Sequence, residues 1–260
     1  MSSADARFTS NGPVGRLTFT RPDTGNALTW AMYDALAGAC DRVDADRGIR
    51  VFVICSPGGV FCTGTDIRQF SSFATGQDGL AYERRVEACL SRLEAVAVPT
   101  IAQVEGIAAG AGCAIALACD LRVCTPAARF GVPIARTLGN ALSIENCARL
   151  VEHVGPGAAR DILFTGRLLD ASEAADLGLI TRLAEPGDIG RLVDGLSETI
   201  ARNAPLTIRA MKAALRHVSA RRRTGDPAID DLIAACYASQ DFREGVAAFL
   251  ARRAAVFTGD

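Results

Sequence analysis

The stretch 101–120, IAQVEGIAAGAGCAIALACD, limits what this chain can fold into more than any other. It opens as an apolar run with β-branched residues and reaches Gly106. It then passes Gly110, Ala111 and Gly112 and continues as CAIALAC, apolar on every side. Such a run predicts a buried strand, a tight turn of tiny residues and a short buried helix. Small residues at the turn let a ligand approach the backbone without meeting side chains. A turn that opens a helix also directs unpaired N–H groups into that space, backed by the positive end of the helix dipole. These donors can hold an anion or a developing oxyanion. The same residues would serve equally well for close packing of helix on strand.

The flanking segments set the fold class. Residues 14–20 read as a strand, and Arg21-Pro22-Asp23-Thr24-Gly25-Asn26 supplies turn chemistry. Thr29 is placed to cap a helix running through Met32, Leu36 and Cys40 to about Asp46. The wholly apolar VFVIC at 51–55 predicts a strand in a sheet covered on both faces. Val86, Leu90 and Leu93 give 80–96 helical spacing, and Pro99 ends that segment. Beyond a short strand at 121–124, helices are expected from near Ser143, after Gly155-Pro156-Gly157, and from Asp170 to Gly178. Residues 179–183 suggest one more strand. The chain beyond Asp188 reads as helical with a break at Asn203-Ala204-Pro205, and its last helix opens on Asp241-Phe242-Arg243-Glu244, an acidic variant of the capping box. Strands separated by helices predict an α/β fold with largely parallel sheets.

Charge and composition narrow the partners. A formal net charge of −1 provides no basic field for nucleic acid or anionic lipid. The nine cysteines are odd in number and scattered, with no CxxC, so neither a disulfide framework nor a metal site is expected. His153 and His217 are the only histidines, and neither lies near a motif that would make a Ser–His or Cys–His nucleophile. The segment MSSADARFTS lacks an apolar signal core, and no run reaches membrane-spanning length. The expectation is a soluble protein of a reducing cytoplasm, with no membrane or nucleic-acid partner and no permanently bound cofactor.

Several motifs then fall in order. Arg21-Pro22 is followed by Asn26-Ala27-Leu28, and FCTGTDI spans 61–67. Gly106, Gly110-Ala111-Gly112, Ala116 and Cys119-Asp120 form a central block. Phe130-Gly131 with Pro133, Thr165-Gly166-Arg167, Ala174 with Gly178-Leu179, and REGVAAF at 243–249 complete the set. Over nearly its full length the chain resembles the crotonase, or enoyl-CoA hydratase/isomerase, superfamily. The resemblance implies a crotonase-like ββα spiral core over 1–200, a C-terminal helical trimerisation region over 201–260, and trimers that pair into hexamers. It also implies an acyl-CoA substrate, coenzyme A being part of the substrate, with the thioester oxygen held between the backbone N–H groups of Thr65 and Ala111. Adenine and pantetheine would be bound by Ala27, Thr63, Thr65, Asp66 and Ile67, with Arg21 near the phosphates. Thr65, larger than the family's common alanine, would narrow the pocket entrance. Asp66 could equally cap the following helix, and Arg21 could simply solvate its turn. Glu105, beside the central turn, sits at a position without acid/base duty in the family.

This sequence departs from the family where hydratases carry two glutamates. One activates water while the other protonates the α-carbon. Here those positions are Ala114 and Ile134. Neither side chain can move a proton, so standard hydration is not expected and an apolar patch should face the acyl group. An acid or base would have to come from elsewhere, and the segment RTLGNALSIEN at 136–146 is the first place to look. Glu145 could reach the pocket, or it could be a solvated first-turn carboxylate. Arg136 and Asn140 could bind a polar acyl tail or remain at the surface. Tyr82 and Glu83 start a helix whose region, in the family, often lines the acyl pocket, or they are exposed positions on its outer face; Cys113 reads as core. Two functions remain open: a lyase or isomerase of carboxylic acid metabolism with a non-standard acid/base, and a catalytically weak acyl-CoA-binding protein or partner subunit. An RNA-binding role has little support at this net charge.

Overall fold

A computed structural model describes residues 5–185, 187–220 and 227–258. The chain begins with an antiparallel hairpin, β1 (Ala6–Asn11) and β2 (Val14–Phe19), which turns at Gly12 with φ 54°. β2 buries alternate residues, whereas β1 is exposed along most of its length. That is why the first strand carries no apolar signal in the sequence. α1 (Trp30–Ala45) follows, and the Thr29 hydroxyl accepts from Met32 N as the sequence predicts.

Three turns of one pattern come next. β3 (Val51–Cys55), β4 (Val60–Cys62) and α2 (Gly76–Glu94) form the first turn, and β5 (Thr100–Val104), β6 (Ile107–Ala109) and α3 (Ala111–Ala118) the second. β7 (Leu121–Cys124) and β8 (Arg129–Gly131) start the third, which closes with α4 (Ile134–Thr137) and α5 (Ile144–Thr165). In each turn the first strand joins one sheet and the second strand joins the other, before a helix carries the chain back. The result is a ββα spiral. With β9 (Leu169–Asp170), α6 (Ala171–Asp176) and β10 (Arg182–Leu183), the sheets have the orders β1-β2-β3-β5-β7-β10 and β4-β6-β8-β9. Pairing is parallel except at β1–β2 and β8–β9. The chain ends in α7 (Ile189–Arg202), α8 (Pro205–Ala220), α9 (Pro227–Ala238) and α10 (Gln240–Leu250).

The apolar run of β3 is covered on both faces, as expected. Phe52 and Ile54 enter the main core, while Val51, Val53 and Cys55 meet Ile189 and Val193 of α7. Four details differ from the sequence expectations. The central stretch contains a second short strand, β6, between Gly106 and Gly110. The two helices expected at 143 and 156 run on as α5 through a break at Gly155, φ 75°. The strand expected over 179–183 pairs only at Arg182 and Leu183. The cap of α10 is Ser239, whose hydroxyl accepts from Phe242 N, while Asp241 instead accepts from Thr258 N. Parts of the predicted 1–200 and 201–260 spans, residues 1–4, 186, 221–226, 259 and 260, lie outside the described residues.

One close approach positions the site. α2 starts earlier than its apolar periodicity suggests, from a capping box of Thr75 and Asp78, so Gly76 and Gly79 fall in its first turns. A Cβ at Gly79 would lie 2.0 Å from Cγ of Tyr237, and one at Gly76 2.2 Å from the Ala234 oxygen. Only glycine lets α9 seat this closely, and Tyr237 is thereby carried into the interior.

Candidate active site

Two glycine turns meet at the centre of the spiral. Gly64 (φ 113°) follows β4, and Gly110 (φ 53°) follows β6. These are left-handed conformations that favour glycine. A Cβ built on Gly64 would lie 3.3 Å from the Ala109 oxygen and 3.6 Å from Ala111 N, so the two turns abut. Gly112 seats α3 against β4, since a Cβ there would meet the Cys62 oxygen at 2.2 Å. Leu28 brackets the first turn by donating to the Gly64 oxygen and accepting from Asp66 N. Gly110 N donates to the Gly131 oxygen on the other side. Among the described residues, the N–H groups of Thr65 and Ala111 find no acceptor in the protein. Both residues line one cavity of about 630 Å³, a size suited to a small-molecule ligand.

The Thr65 side chain is buried rather than spread across the entrance. Its hydroxyl lies 2.7 Å from the Tyr33 hydroxyl and 2.7 Å from that of Tyr82. This hydroxyl cluster fixes the backbone that carries the Thr65 N–H. Tyr82 is therefore not an exposed helix-face residue, and burial raises its phenol above the ordinary range.

At the cavity mouth, Ala27, Thr63, Asp66 and Ile67 line the opening, as does Arg68. Asp66 caps the short turn at 67–72 by accepting from Arg68 N, and its carboxylate also pairs with the side chains of Arg68 and Arg21. The Arg68 hydrogen bond, foremost, holds Asp66 below the usual carboxylate range. Arg21 does not line the cavity: it is occupied by Asp66, Asp5 and the Ala27 carbonyl. The cations that do reach the opening are Arg68 and Arg252, with Phe249 and Leu250 beside the latter. The motif at 243–249 ends on Phe249, yet nothing in the sequence placed these C-terminal residues at the mouth, because the fold alone returns them there.

The inner end has a largely apolar wall. Ala114 and Ile134 both line it, with Leu117, Val132, Leu138 and Leu142. Cys113 is buried beside the turn as core, its thiol pushed up to about 12 by burial. Asn140 also lines this end. Its Nδ2 donates to the Tyr237 hydroxyl at 3.0 Å, and its Oδ1 is buried without a partner among the described residues. Arg136 is exposed and does not line the cavity; its Cβ packs beneath Gly166. Glu145 faces a second depression on the outer side of α2 and α5, not the cavity. Glu105 likewise stands apart, accepting from Gln103.

The carboxyl group that does reach the inner end is Glu83, a residue whose sequence position suggested exposure. It is 5% exposed. The Tyr237 hydroxyl donates to Oε1 at 2.8 Å and Ser143 N donates to Oε2 at 3.1 Å. Burial raises its pKa to about 7, the effect opposed by those two donors and reinforced by the charges of Glu87 and Glu145. The signal missing from the sequence was Tyr237, whose partner lies 154 positions away. Below this end, Arg149 is buried and binds Glu87, Glu94 and Asn146, tying α2 to α5. Asn146 is thereby fixed as part of the wall.

Comparison with known proteins agrees with this architecture. The family model described as enoyl-CoA hydratase/isomerase matches residues 9–260. A protein named probable enoyl-CoA hydratase 2, mitochondrial, from Arabidopsis thaliana is 31% identical over 256 residues, covering 96% of this chain and 83% of its own. The crystal structure of an enoyl-CoA hydratase/carnithine racemase from Magnetospirillum magneticum superposes with a TM-score of 0.81 at 31% identity, covering 100% of this chain and 97% of its own. An enoyl-CoA hydratase from Mycobacterium avium subsp. paratuberculosis gives a TM-score of 0.85 at 26% identity, with 98% and 99% covered.

Proposed function

The chain belongs to the enoyl-CoA hydratase/isomerase family, and from that premise we propose that it is an enzyme acting on acyl-CoA thioesters without performing standard hydration. The observation that carries this reading is the pair of unpaired N–H groups, Thr65 and Ala111, opening into a cavity with an apolar inner end. A thioester oxygen held there gains its hydrogen bonds as negative charge develops, which is worth about 3–4 kcal/mol per donor. The thioester carbonyl thus becomes an electron sink. Isomerisation, elimination, C–C cleavage or acyl transfer to water can all begin from that stabilised enolate or oxyanion.

Hydration needs a further device, a carboxylate pair that addresses one water. Ala114 and Ile134 occupy the two places, both in the cavity wall. Arg68 and Arg252 at the mouth are the cations suited to the phosphates of coenzyme A, and Ala27, Thr63 and Ile67 surround the path between the mouth and the hole. The second reading is an acyl-CoA-binding protein or partner subunit of weak activity, and the same two residues favour it. Installing both carboxylates, A114E with I134E, tests the reading. Gained hydration of crotonyl-CoA supports a competent thioester site, whereas calorimetric absence of binding by a non-reactive acyl-CoA analogue contradicts it.

We further propose a homotrimer, or a pair of trimers. α8 leaves Met211, Leu215 and Val218 exposed at helical spacing, a face suited to a second copy. Sedimentation at a monomer mass would contradict this. The free thiols support a reducing compartment such as the cytoplasm, although the Arabidopsis relative is named as mitochondrial. Antibody detection in cell fractions separates the two.

A further inference from the structure

Among the described residues, three carboxylates line the cavity, Asp23, Asp66 and Glu83. Asp23 stands at the exposed mouth, and Asp66 is neutralised by Arg68 and Arg21. Of these, Glu83 is the one buried at the inner end, and among the described residues no cation pairs with it. The nearest arginine on α5, Arg149, is committed to Glu87 and Glu94, and Arg84 is paired with Asp230. A carboxyl kept only for structure is ordinarily matched by a cation when buried. Here both oxygens are instead held by neutral donors, the Tyr237 hydroxyl and Ser143 N, which fix its direction without fixing its charge.

Glu83 also has a second side. Besides the inner cavity it lines an outer depression of about 450 Å³, shared with Arg84, Glu87, Ser143, Glu145 and Asp230. It therefore forms part of the wall between the acyl end and a solvent-facing acidic hollow.

We infer that Glu83 is the proton-transferring catalytic residue of this cavity, positioned by Tyr237 and the Ser143 N–H, and exchanging its proton with solvent through the outer depression. The inference rests on the acyl-CoA reading above and deepens it. In the step assigned to it, the Glu83 carboxylate removes a proton from an acyl carbon made acidic by the thioester. That carbon is the α-carbon of a saturated chain or the γ-carbon of a 2-enoyl chain. The C–H electron pair enters the carbon chain and moves to the thioester oxygen, held by Thr65 N and Ala111 N. Return of a proton from neutral Glu83 to carbon, at the same or the vinylogous position, closes the step without any other reactant. The groups facing Glu83 are consistent with a carboxyl that both gives and takes a proton near neutral pH. Burial and the charges of Glu87 and Glu145 disfavour its ionised form, and the Tyr237 and Ser143 donors favour it. Tyr82 precedes it on α2, Cys147 approaches from α5, and the Arg84–Asp230 pair flanks the outer side.

Deuterium incorporation from heavy water tests this with the full chain. Butyryl-CoA reports exchange at the α-carbon and 2-hexenoyl-CoA at the γ-carbon, both read by mass spectrometry. A thioether analogue of butyryl-CoA measures binding by calorimetry. The wild-type protein should bind the analogue and label at least one substrate, with a rate that rises with pH through a midpoint near about 7. Glu83→Gln should lose ~10²-fold or more of that rate while still binding the analogue. Tyr237→Phe should retain exchange but shift the midpoint upward, since it removes a donor that favours the charged form. A merely structural Tyr237 would leave the midpoint in place. Binding without any labelling, undiminished exchange in Glu83→Gln, or its loss in Glu145→Gln alone would overturn the inference and leave the acyl-CoA reading standing. Failure to bind the analogue would overturn both.

Discussion

The Tyr237 hydroxyl donates to Glu83 Oε1 at 2.8 Å, joining the penultimate stretch of helix to the wall of the acyl cavity. Two glycines of α2 make this contact possible by letting α9 close in. The consequence is a carboxyl buried with no counter-ion among the described residues.

That burial has a thermodynamic signature. The Glu83 pKa is raised from 4.5 in the unfolded chain to about 7 in the folded one. Below about pH 4.5 the group is neutral in both states and its contribution is fully present. As pH rises through about 7, the unfolded chain releases its proton first, so stability is lost across that window. The linkage amounts to about 3 kcal/mol. Urea unfolding of wild type and Glu83→Gln at about pH 5 and about pH 8 should show the wild type losing roughly that much relative to the variant. Parallel pH dependence in the two proteins would contradict a buried, unpaired Glu83.

Ala111 occupies the first position of α3, where its N–H has no helical acceptor and where proline is tolerated. Ala111→Pro therefore deletes one donor of the hole while sparing the helix. Proton exchange on the reactive acyl-CoA should fall by ~10²–10³-fold, with unchanged far-ultraviolet circular dichroism. Exchange at the wild-type rate would remove Ala111 N from the site.

Arg149 holds two carboxylates in a buried position. Replacing it by Met takes the buried cation away from Glu87 and Glu94 and should cost about 3–5 kcal/mol in chemical unfolding. Adding Glu87→Gln and Glu94→Gln to that variant should restore most of the loss. A single Arg149→Met change within about 0.5 kcal/mol of wild type would mean that the cluster is solvated.

The alternation of strands and helices was legible from the residues, whereas the ββα spiral came from the family resemblance. The runs at 51–55 and 101–104 are apolar because both faces of their sheet are covered, and Gly64 and Gly110 mark turns that no other residue suits as well. The absence of a carboxylate at 114 and 134 could be read directly. Glu83 could not be placed, because its helix carries charges on both sides and its burial depends on α9, an element far along the chain. Glu145 looked available for the converse reason. It stands next to the right loop, but α5 turns it toward the outer depression. Local pattern reports which face of an element is apolar; it does not report which distant element covers the rest. Arg68 and Arg252 were missed on the same grounds, since a mouth exists only once the C-terminus has returned to the core.

The proposed thioester site without a hydratase carboxylate pair makes one direct demand on the chain. Turnover of crotonyl-CoA, followed as loss of the conjugated thioester absorbance beside a calorimetric titration with the thioether analogue, tests it most directly. The analogue should bind clearly, and hydration should not exceed the uncatalysed rate. Robust hydration of crotonyl-CoA by the unmodified chain would contradict the proposal.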